Sequence, residues 1–261
     1  MTTGLIGYTG FVGGNISEQH TFDFLFNTKN IKEIRWKHFD LLVCAWVKAV
    51  KWYANQNSEE DWQNIESLLE MLKTVTADRF ILISTIDIYP ELIWNDEDYS
   101  GFDKQTQPYG AHRFMFENFA KAHFPKSHII RLPGLFGNGI KKNVIYDLLH
   151  DNQLENIDPG ARIQYYPLDR IWQDIETTVK NNIPVVNFFA SPIVSEDIIE
   201  RFFLDKKYLI TRAPTETIRY DLRTKYAMLY GWKDWYILGY DDIIAYMDAF
   251  IKREQQNLDH E

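Results

Sequence analysis

Cysteine is nearly missing from this chain. Cys44 is the only one in 261 residues, which excludes an intrachain disulfide and any zinc site built on paired cysteines, and makes the cytoplasm the expected compartment. Positive charge is also short: 28 Lys and Arg against 37 Asp and Glu leave a formal charge of -9. Such a balance argues against a nucleic-acid partner, because displacing counterions from phosphates needs a basic face. Any anionic ligand must be held locally. No apolar run approaches the ~18 residues of a membrane span, and MTTGLIGYTG at the N-terminus lacks the basic-then-apolar order of a signal peptide. The seven histidines include no HExxH pair, so no metal site is expected. Neither GxSxG nor GxxxxGK[ST] occurs, and no repeat or low-complexity segment stands out.

What the chain does have is apolar and periodic. Hydrophobic residues make up 45% and aromatics 15%, enough for a sizeable core. Short β-type runs (TGLIG, FDFLF, FDLLVCAW, RFILIST, SHIIRL) alternate with helical patterns such as SEEDWQNIESLLEMLKTV. That alternation predicts an α/β fold with a parallel sheet covered on both faces. Residues 28–39, between FDFLF and FDLLVCAW, are too few for a further helix–strand–helix insertion, so one sheet element should be shortened or missing. After Leu132 the pattern loosens, returns to a helix at LDRIWQDIETTVKN and a strand at VVNFF, and ends in two helical stretches. The expected organisation is a core over 1–132, to which 165–190 returns, with a smaller lobe over 133–164 and 191–261.

Gly7, Gly10 and Gly13 in GYTGFVG follow the first strand and open a helix. Glycines there permit a tight turn and close approach of backbone N–H groups to a pyrophosphate, making Gly7, Tyr8, Thr9, Gly10, Phe11, Val12 and Gly13 a candidate dinucleotide cradle. An ordinary strand-to-helix turn is the alternative. The acid that usually holds the adenosine ribose, ~20 residues further on, is replaced by Asn27, Thr28, Lys29 and Asn30. Asn27 could bond a ribose hydroxyl and Lys29 a 2′-phosphate, which slightly favours NADP over NAD; Lys29 could equally be a solvated loop charge. Further on, QPYGAHRFMFENFAKAHF sets Tyr109 and Arg113 four residues apart on one helix face.

With GYTGFVG, LISTIDIY and YGAHR in that order, the chain resembles the extended short-chain dehydrogenase/reductase family, the NAD-dependent epimerases, dehydratases and reductases of nucleotide sugars. The resemblance runs nearly end to end and implies a Rossmann-like doubly wound sheet with a small C-terminal substrate lobe. LLVCAWVKAV looks like the fourth-strand segment, with Lys48 near the cofactor pyrophosphate, and DWQNIESLLEML like the helix whose asparagine, here Asn64, serves the cofactor site. RLPGLFGNG, YYPLDRIWQDIE and RYDLRTKYAMLYGW resemble further family segments.

By this resemblance Tyr109 is the general acid/base, Thr85 orients the substrate oxygen, and Arg113 stands where YxxxK has lysine. A free phenol titrates near ~10, and the permanent charge of Arg113 is expected to lower it, although a planar fork is not a conservative substitute for an ammonium. The dehydratase branch has Asp-Glu after the threonine; Ile86 and Asp87 here disfavour that chemistry. Asn143, with Lys141 and Lys142, would suit a substrate diphosphate, and is as readily a solvated loop. The implied activity is epimerisation or reduction of a nucleotide sugar or related carbonyl compound with NADP or NAD; the alternative is a weakened NAD(P)-binding sensor or assembly protein. A homodimer through residues 58–73 and 109–123 is also expected, with Leu68, Leu69, Phe114 and Phe119 serving either that interface or the core.

Overall fold

Each apolar run becomes a strand and each 3.6-residue pattern a helix, in a computed structural model that describes residues 1–46, 50–104, 107–211, 218–232 and 234–258. In chain order the elements are β1 (Thr3–Ile6), α1 (Phe11–Gln19), β2 (Phe24–Phe26), β3 (His38–Cys44), α2 (Lys51–Gln56), α3 (Ser58–Leu72), β4 (Thr76–Thr85), α4 (Pro108–His123), β5 (Ser127–Leu132), β6 (Gly134–Phe136), α5 (Val144–Leu149), β7 (Arg162–Ile163), β8 (Tyr165–Pro167), α6 (Ile171–Lys180), β9 (Val185–Asn187), β10 (Ile193–Val194), α7 (Ser195–Phe202) and α8 (Tyr240–Leu258). The chain divides into two compact units. One comprises 1–91, 97–132 and 170–187; the other 92–96, 133–169 and 188–261. The segment returning to the first unit is thus 170–187, and β8, at the start of the expected 165–190 stretch, belongs to the second.

The first unit is built on a six-stranded sheet in the order β2-β1-β3-β4-β5-β9. All five pairings are parallel. Ile6 pairs with Cys44 and Cys44 with Leu82, so β4 runs three residues past that line to Thr85. Between β2 and β3 the chain makes only a 3-10 turn, Ile31–Ile34, and β2 is the edge of the sheet. That is the shortened element expected there, and a three-residue edge leaves little backbone for unwanted strand pairing.

Helix α3 carries Glu59, Glu60 and Asp61 in its first turn, where the helix dipole favours acids. It buries Asp61, Ile65, Leu68, Leu69, Met71 and Leu72. Helix α4 begins with Pro108, whose missing N–H costs nothing there. Its buried face is Tyr109, Gly110, Arg113, Phe116, Glu117 and Ala120. That face therefore carries a phenol, a guanidinium and a carboxylate into the unit. Glu117, fully buried, accepts two bonds from Arg131 of β5, at 3.1 and 2.8 Å, and one from Ser84 of β4 at 2.6 Å. Arg131 also donates to the Tyr89 hydroxyl at 2.6 Å, which is hydrogen-bonded in turn with the Asn187 side chain.

Leu68 and Leu69 lie inside the hydrophobic core, and Phe119 packs against it. Phe114 stacks on Phe102 with ring centroids 4.4 Å apart. The outer row of α3 is polar, so Met115 is the one large apolar side chain exposed on α3 and α4. Leu68 and Leu69 therefore serve the core, with Phe119 half-buried against it and Phe114 half-buried on Phe102.

The second unit holds a parallel pair, β6 with β8, and an antiparallel pair, β7 with β10, packed with α5, α7 and α8. Phe136 and Phe250 meet at 5.5 Å and Tyr166 and Phe188 at 5.3 Å. Buried Gln164 donates to the carbonyls of Ala190 and Leu222 and accepts from Leu222 N, tying three segments together.

Candidate active site

Gly7, directly after β1, has φ +89°, and a Cβ there would stand 2.6 Å from the Ala45 carbonyl oxygen. The turn closes through Gly10 N–H to the Gly7 carbonyl at 2.9 Å. At Gly13 a Cβ would fall 2.1 Å from that same carbonyl, so the start of α1 sits against the turn more closely than any side chain allows. No side chain caps α1, and its first turn holds no acid. The leading N–H groups of the helix thus suit an anion, which fits the pyrophosphate of a dinucleotide. Thr9 and Gly10 are exposed, and Phe11 and Val12 half-buried.

Tyr8 leaves the turn toward the end of β2, where its hydroxyl accepts from Asn27 Nδ2 at 3.0 Å. Asn27 Oδ1 accepts from Lys29 N. The Asn27 amide is therefore shared between the glycine turn and its own loop, while Lys29 is exposed. Lys48 lies outside the described residues.

Thr85, Tyr109 and Arg113 come together at the C-terminal end of β4. The strand order puts that end two strands from the glycine turn, roughly 10 Å at ~4.8 Å per strand. Tyr109 is 6% exposed, and the Thr85 hydroxyl is the hydrogen-bond partner of its phenol. Thr85 also accepts from Asp87 N at 3.2 Å, capping the 3-10 turn Ile86–Ile88. Asp87 pairs with Lys51 of α2 at 2.6 Å. Asn55 of α2 accepts from Tyr109 N at 2.9 Å and so satisfies one of the open donors at the start of α4.

Arg113 is 3% exposed, with its guanidinium carbon 3.8 Å from the centroid of the Tyr109 ring. It is forked onto Asp61, Nη1 to Oδ2 at 2.5 Å and Nη2 to Oδ1 at 2.9 Å, and Nη1 also donates to the Tyr109 carbonyl at 3.2 Å. His112 Nδ1 meets the same carboxylate at 2.8 Å. Burial pushes the Asp61 carboxyl up, but hydrogen bonds from Arg113 and His112 outweigh it and hold the group below its ordinary range.

The expected lowering of the Tyr109 pKa does not survive this arrangement. Burial pushes the phenol up to about 12, against the opposing pull of Arg113, with the Asp87 and Asp61 carboxylates adding to the rise. The cost of burying a phenolate outweighs the pull of the neighbouring guanidinium.

Asn64 stands on the exposed side of α3 and donates to the Glu60 carbonyl. The residue of α3 that reaches Arg113 is Asp61, one turn earlier. Asp61, His112, Asn55 and Lys51 were not anticipated from sequence. The signal for Asp61 was present: it falls on the same stripe as Ile65, Leu68 and Leu72, an acid where the period calls for an apolar residue.

Asn143, in the second unit, caps α5: its Oδ1 accepts from Ile145 N and Tyr146 N, and its Nδ2 donates to the Leu135 carbonyl. The amide expected to hold a diphosphate is thus engaged by the chain itself. Lys141 and Lys142 are exposed. Among the described residues one group, His38, Asp40 and Asp78, brings possible metal-ligand atoms within 4.8 Å of one another. A cleft of about 760 Å³ lined by Met1, Asp40, Asp78, Arg79 and Lys126 adjoins it. Both lie at the N-terminal ends of β3 and β4, the sheet edge away from the glycine turn, and take no part in this site. No helix among the described residues is long and apolar enough to cross a membrane.

Solved structures share this architecture. The dTDP-4-dehydrorhamnose reductase of Bacillus anthracis, in complex with NADP, superposes with a TM-score of 0.70 at 12% identity over 97% of this chain and 99% of its own. The UDP-glucose 4-epimerase of Thermotoga maritima, with UDP-glucose, gives 0.69 at 12% identity over 99% and 100%. The dTDP-glucose 4,6-dehydratase of Streptomyces venezuelae, a double mutant with NAD bound, gives 0.71 at 13% identity over 97% of each. No curated protein matches the chain in sequence. Residues 11–151, more than half of the chain, match the NAD dependent epimerase/dehydratase family, and with the fold described above the chain belongs to that family, within the extended short-chain dehydrogenases/reductases.

Proposed function

We propose that this protein is an NAD(P)-dependent epimerase or reductase of a nucleotide sugar or a related carbonyl or hydroxyl compound. The observation that carries the proposal is the convergence of Thr85, Tyr109 and Arg113 at the end of β4, on the same sheet edge as a glycine turn that fits a pyrophosphate. In an open parallel sheet that edge is where ligands bind. When bound, the nicotinamide supplies or receives the hydride. Tyr109 gives or takes the proton of the reacting oxygen, and Thr85, hydrogen-bonded with the phenol, orients that oxygen. The first turn of α1 holds the pyrophosphate, with Asn27 and Lys29 at the adenosine end, where Lys29 favours NADP.

The relatives bound to UDP-glucose, NAD or NADP support a nucleotide-sugar substrate and a nicotinamide cofactor. The test is twofold. Fluorescence titration with NADP and NAD should give saturable binding. With dTDP-4-dehydrorhamnose and reduced cofactor, absorbance at the reduced-nicotinamide band should fall with turnover, or with UDP-glucose a sugar-epimer product should form, and Tyr109→Phe should abolish either while leaving cofactor binding intact. The buried Arg113–Asp61 pair favours a second reading, a dinucleotide-binding sensor or assembly protein. Binding of cofactor with no turnover on either substrate class would establish that one.

A further inference from the structure

The end of the sheet away from the glycine turn gathers a second set of polar side chains. Strand β3 carries His38 and Asp40, two residues apart, and β4 carries Thr76 and Asp78 at the same spacing. Alternate residues of a strand share a face. The parallel register pairs His38 with Thr76, Phe39 with Ala77 and Leu41 with Arg79, so Asp40 stands opposite Asp78. All four polar residues therefore lie on one face, with His38, Thr76 and Asp78 exposed and Asp40 half-buried, while Phe39 and Ala77 turn into the core. Like charges directly opposite each other on neighbouring strands are unfavourable unless a cation lies between them. Among the described residues neither carboxylate has a Lys or Arg partner: Asp40 accepts from Thr2 N and lies 3.8 Å from the Met1 amine, and Asp78 meets only His38. Arg79 and Lys126 line the adjoining cleft without an ion pair to either.

His38 is held as a donor. Its Nδ1 is 2.9 Å from Thr76 Oγ1, and with hydrogen on Nδ1 the ring donates to that hydroxyl and keeps the Nε2 lone pair for a metal. Nε2 stands 3.7 Å from Asp78 Oδ1, too far for a hydrogen bond. Two donors on one tetrahedral Zn²⁺, each ~2.1 Å from the ion, lie roughly 3.4 Å apart, so the gap is close to that of a shared metal. One ligand atom from each of His38, Asp40 and Asp78 lies within 4.8 Å of the other two, and rotation about their χ angles closes the remainder.

We infer that His38, Asp40 and Asp78 bind a divalent transition-metal ion of the zinc class, with Thr76 fixing the imidazole from behind and water in the fourth position. Two carboxylates and a neutral imidazole balance the charge of the ion. The nitrogen donor favours Zn²⁺ over Mg²⁺ and Ca²⁺, which take oxygen ligands. Bound there, the ion ties the N-terminal end of β3 to that of β4 and removes the repulsion between Asp40 and Asp78. The absence of HExxH speaks only of ligands on one helix; here the donors come from two strands, 38 residues apart in the chain. The site is independent of the oxidoreductase reading above.

The full chain, stripped with a chelator, is titrated with ZnCl₂ by calorimetry and with CoCl₂ by its visible d–d absorption. One ion per chain should bind, with the cobalt bands of a four-coordinate site. His38→Ala, Asp40→Asn and Asp78→Asn should each weaken binding at least about tenfold, and Thr76→Val roughly 10–100-fold, while Thr76→Ser restores it. With free Zn²⁺ about a hundredfold above Kd, the thermal midpoint should rise by roughly 5–11 °C. Absence of saturable uptake by about 1 mM Zn²⁺ overturns the proposal. So does uptake that His38→Ala and Asp78→Asn leave unchanged, which places the ion on other side chains, and so does displacement of Zn²⁺ by an equal concentration of Mg²⁺ or Ca²⁺. Native affinity in Thr76→Val overturns the role given to that hydroxyl.

Discussion

Glu117→Gln is the sharpest test of how the site is held. Glu117 is fully buried and Arg131 1% exposed; the carboxylate accepts two bonds from the guanidinium and one from Ser84. The neutral amide keeps the volume but removes the counter-charge, and its NH₂ group must face a donor. Arg131 is then left buried against the rings of Tyr89 and Phe102, 5.1 Å from each centroid, with the Lys121 ammonium also nearby. Removing one partner of a buried pair costs roughly 3–5 kcal/mol, because the remaining charge stays desolvated. At roughly 2–4 °C per kcal/mol for a chain of this size, the midpoint should fall by about 6–20 °C. Replacing both partners by apolar residues, Glu117→Leu/Arg131→Met, should recover most of the loss. The unrecovered part, about 1 kcal/mol, reflects Ser84 losing its acceptor, since Tyr89 keeps Asn187. The assay is thermal and urea unfolding of Glu117→Gln and of Glu117→Leu, Arg131→Met and their double variant, the last three closed as a cycle. A loss under about 1 kcal/mol for Glu117→Gln would refute the reasoning, for it would mean that water or another group compensates Arg131.

Further expectations follow from the same geometry. Gly13→Ala should destabilise by roughly 1–3 kcal/mol or more, because its Cβ meets backbone and not a movable side chain; thermal unfolding and NADP titration should both show the loss, and an unchanged protein would mean that α1 can move off the turn. Burial raises Tyr109 to about 12 against ~10 in the unfolded chain, so its contribution is complete below pH ~10 and is lost as pH rises through about 12. The urea midpoint of Tyr109→Phe should accordingly fall less steeply than that of the native protein between those values. Arg113→Lys should not raise turnover, because the ammonium would pair with Asp61 as the guanidinium does; a gain in the initial rate would show that Asp61 leaves the cation free. Asp61 is held below its usual range, so its stabilisation is present above pH ~4 and lost on acidification; acid unfolding of Asp61→Asn should lack that component.

The order of apolar runs and helical periods was enough to define the parallel sheet, the short connection before β3 and the glycine turn, because strand and helix are set by local periodicity and glycine by local backbone demand. The pairing of Tyr109 with Arg113 was equally legible, four residues apart on one helix. What lies opposite that pair was not. Asp61 is 52 residues from Arg113 in the chain, and nothing local to either residue says that α3 will lay its one buried acid against α4. The same holds for Glu117 and Arg131, where two charges in apolar stretches read as interruptions until the packing of α4 on β5 makes them a pair. Local sequence therefore determined which groups this protein carries and on which elements. Only tertiary packing decided their electrostatic state: it buried the Tyr109 phenol deeply enough to outweigh the pull of Arg113, and set that cation against Asp61.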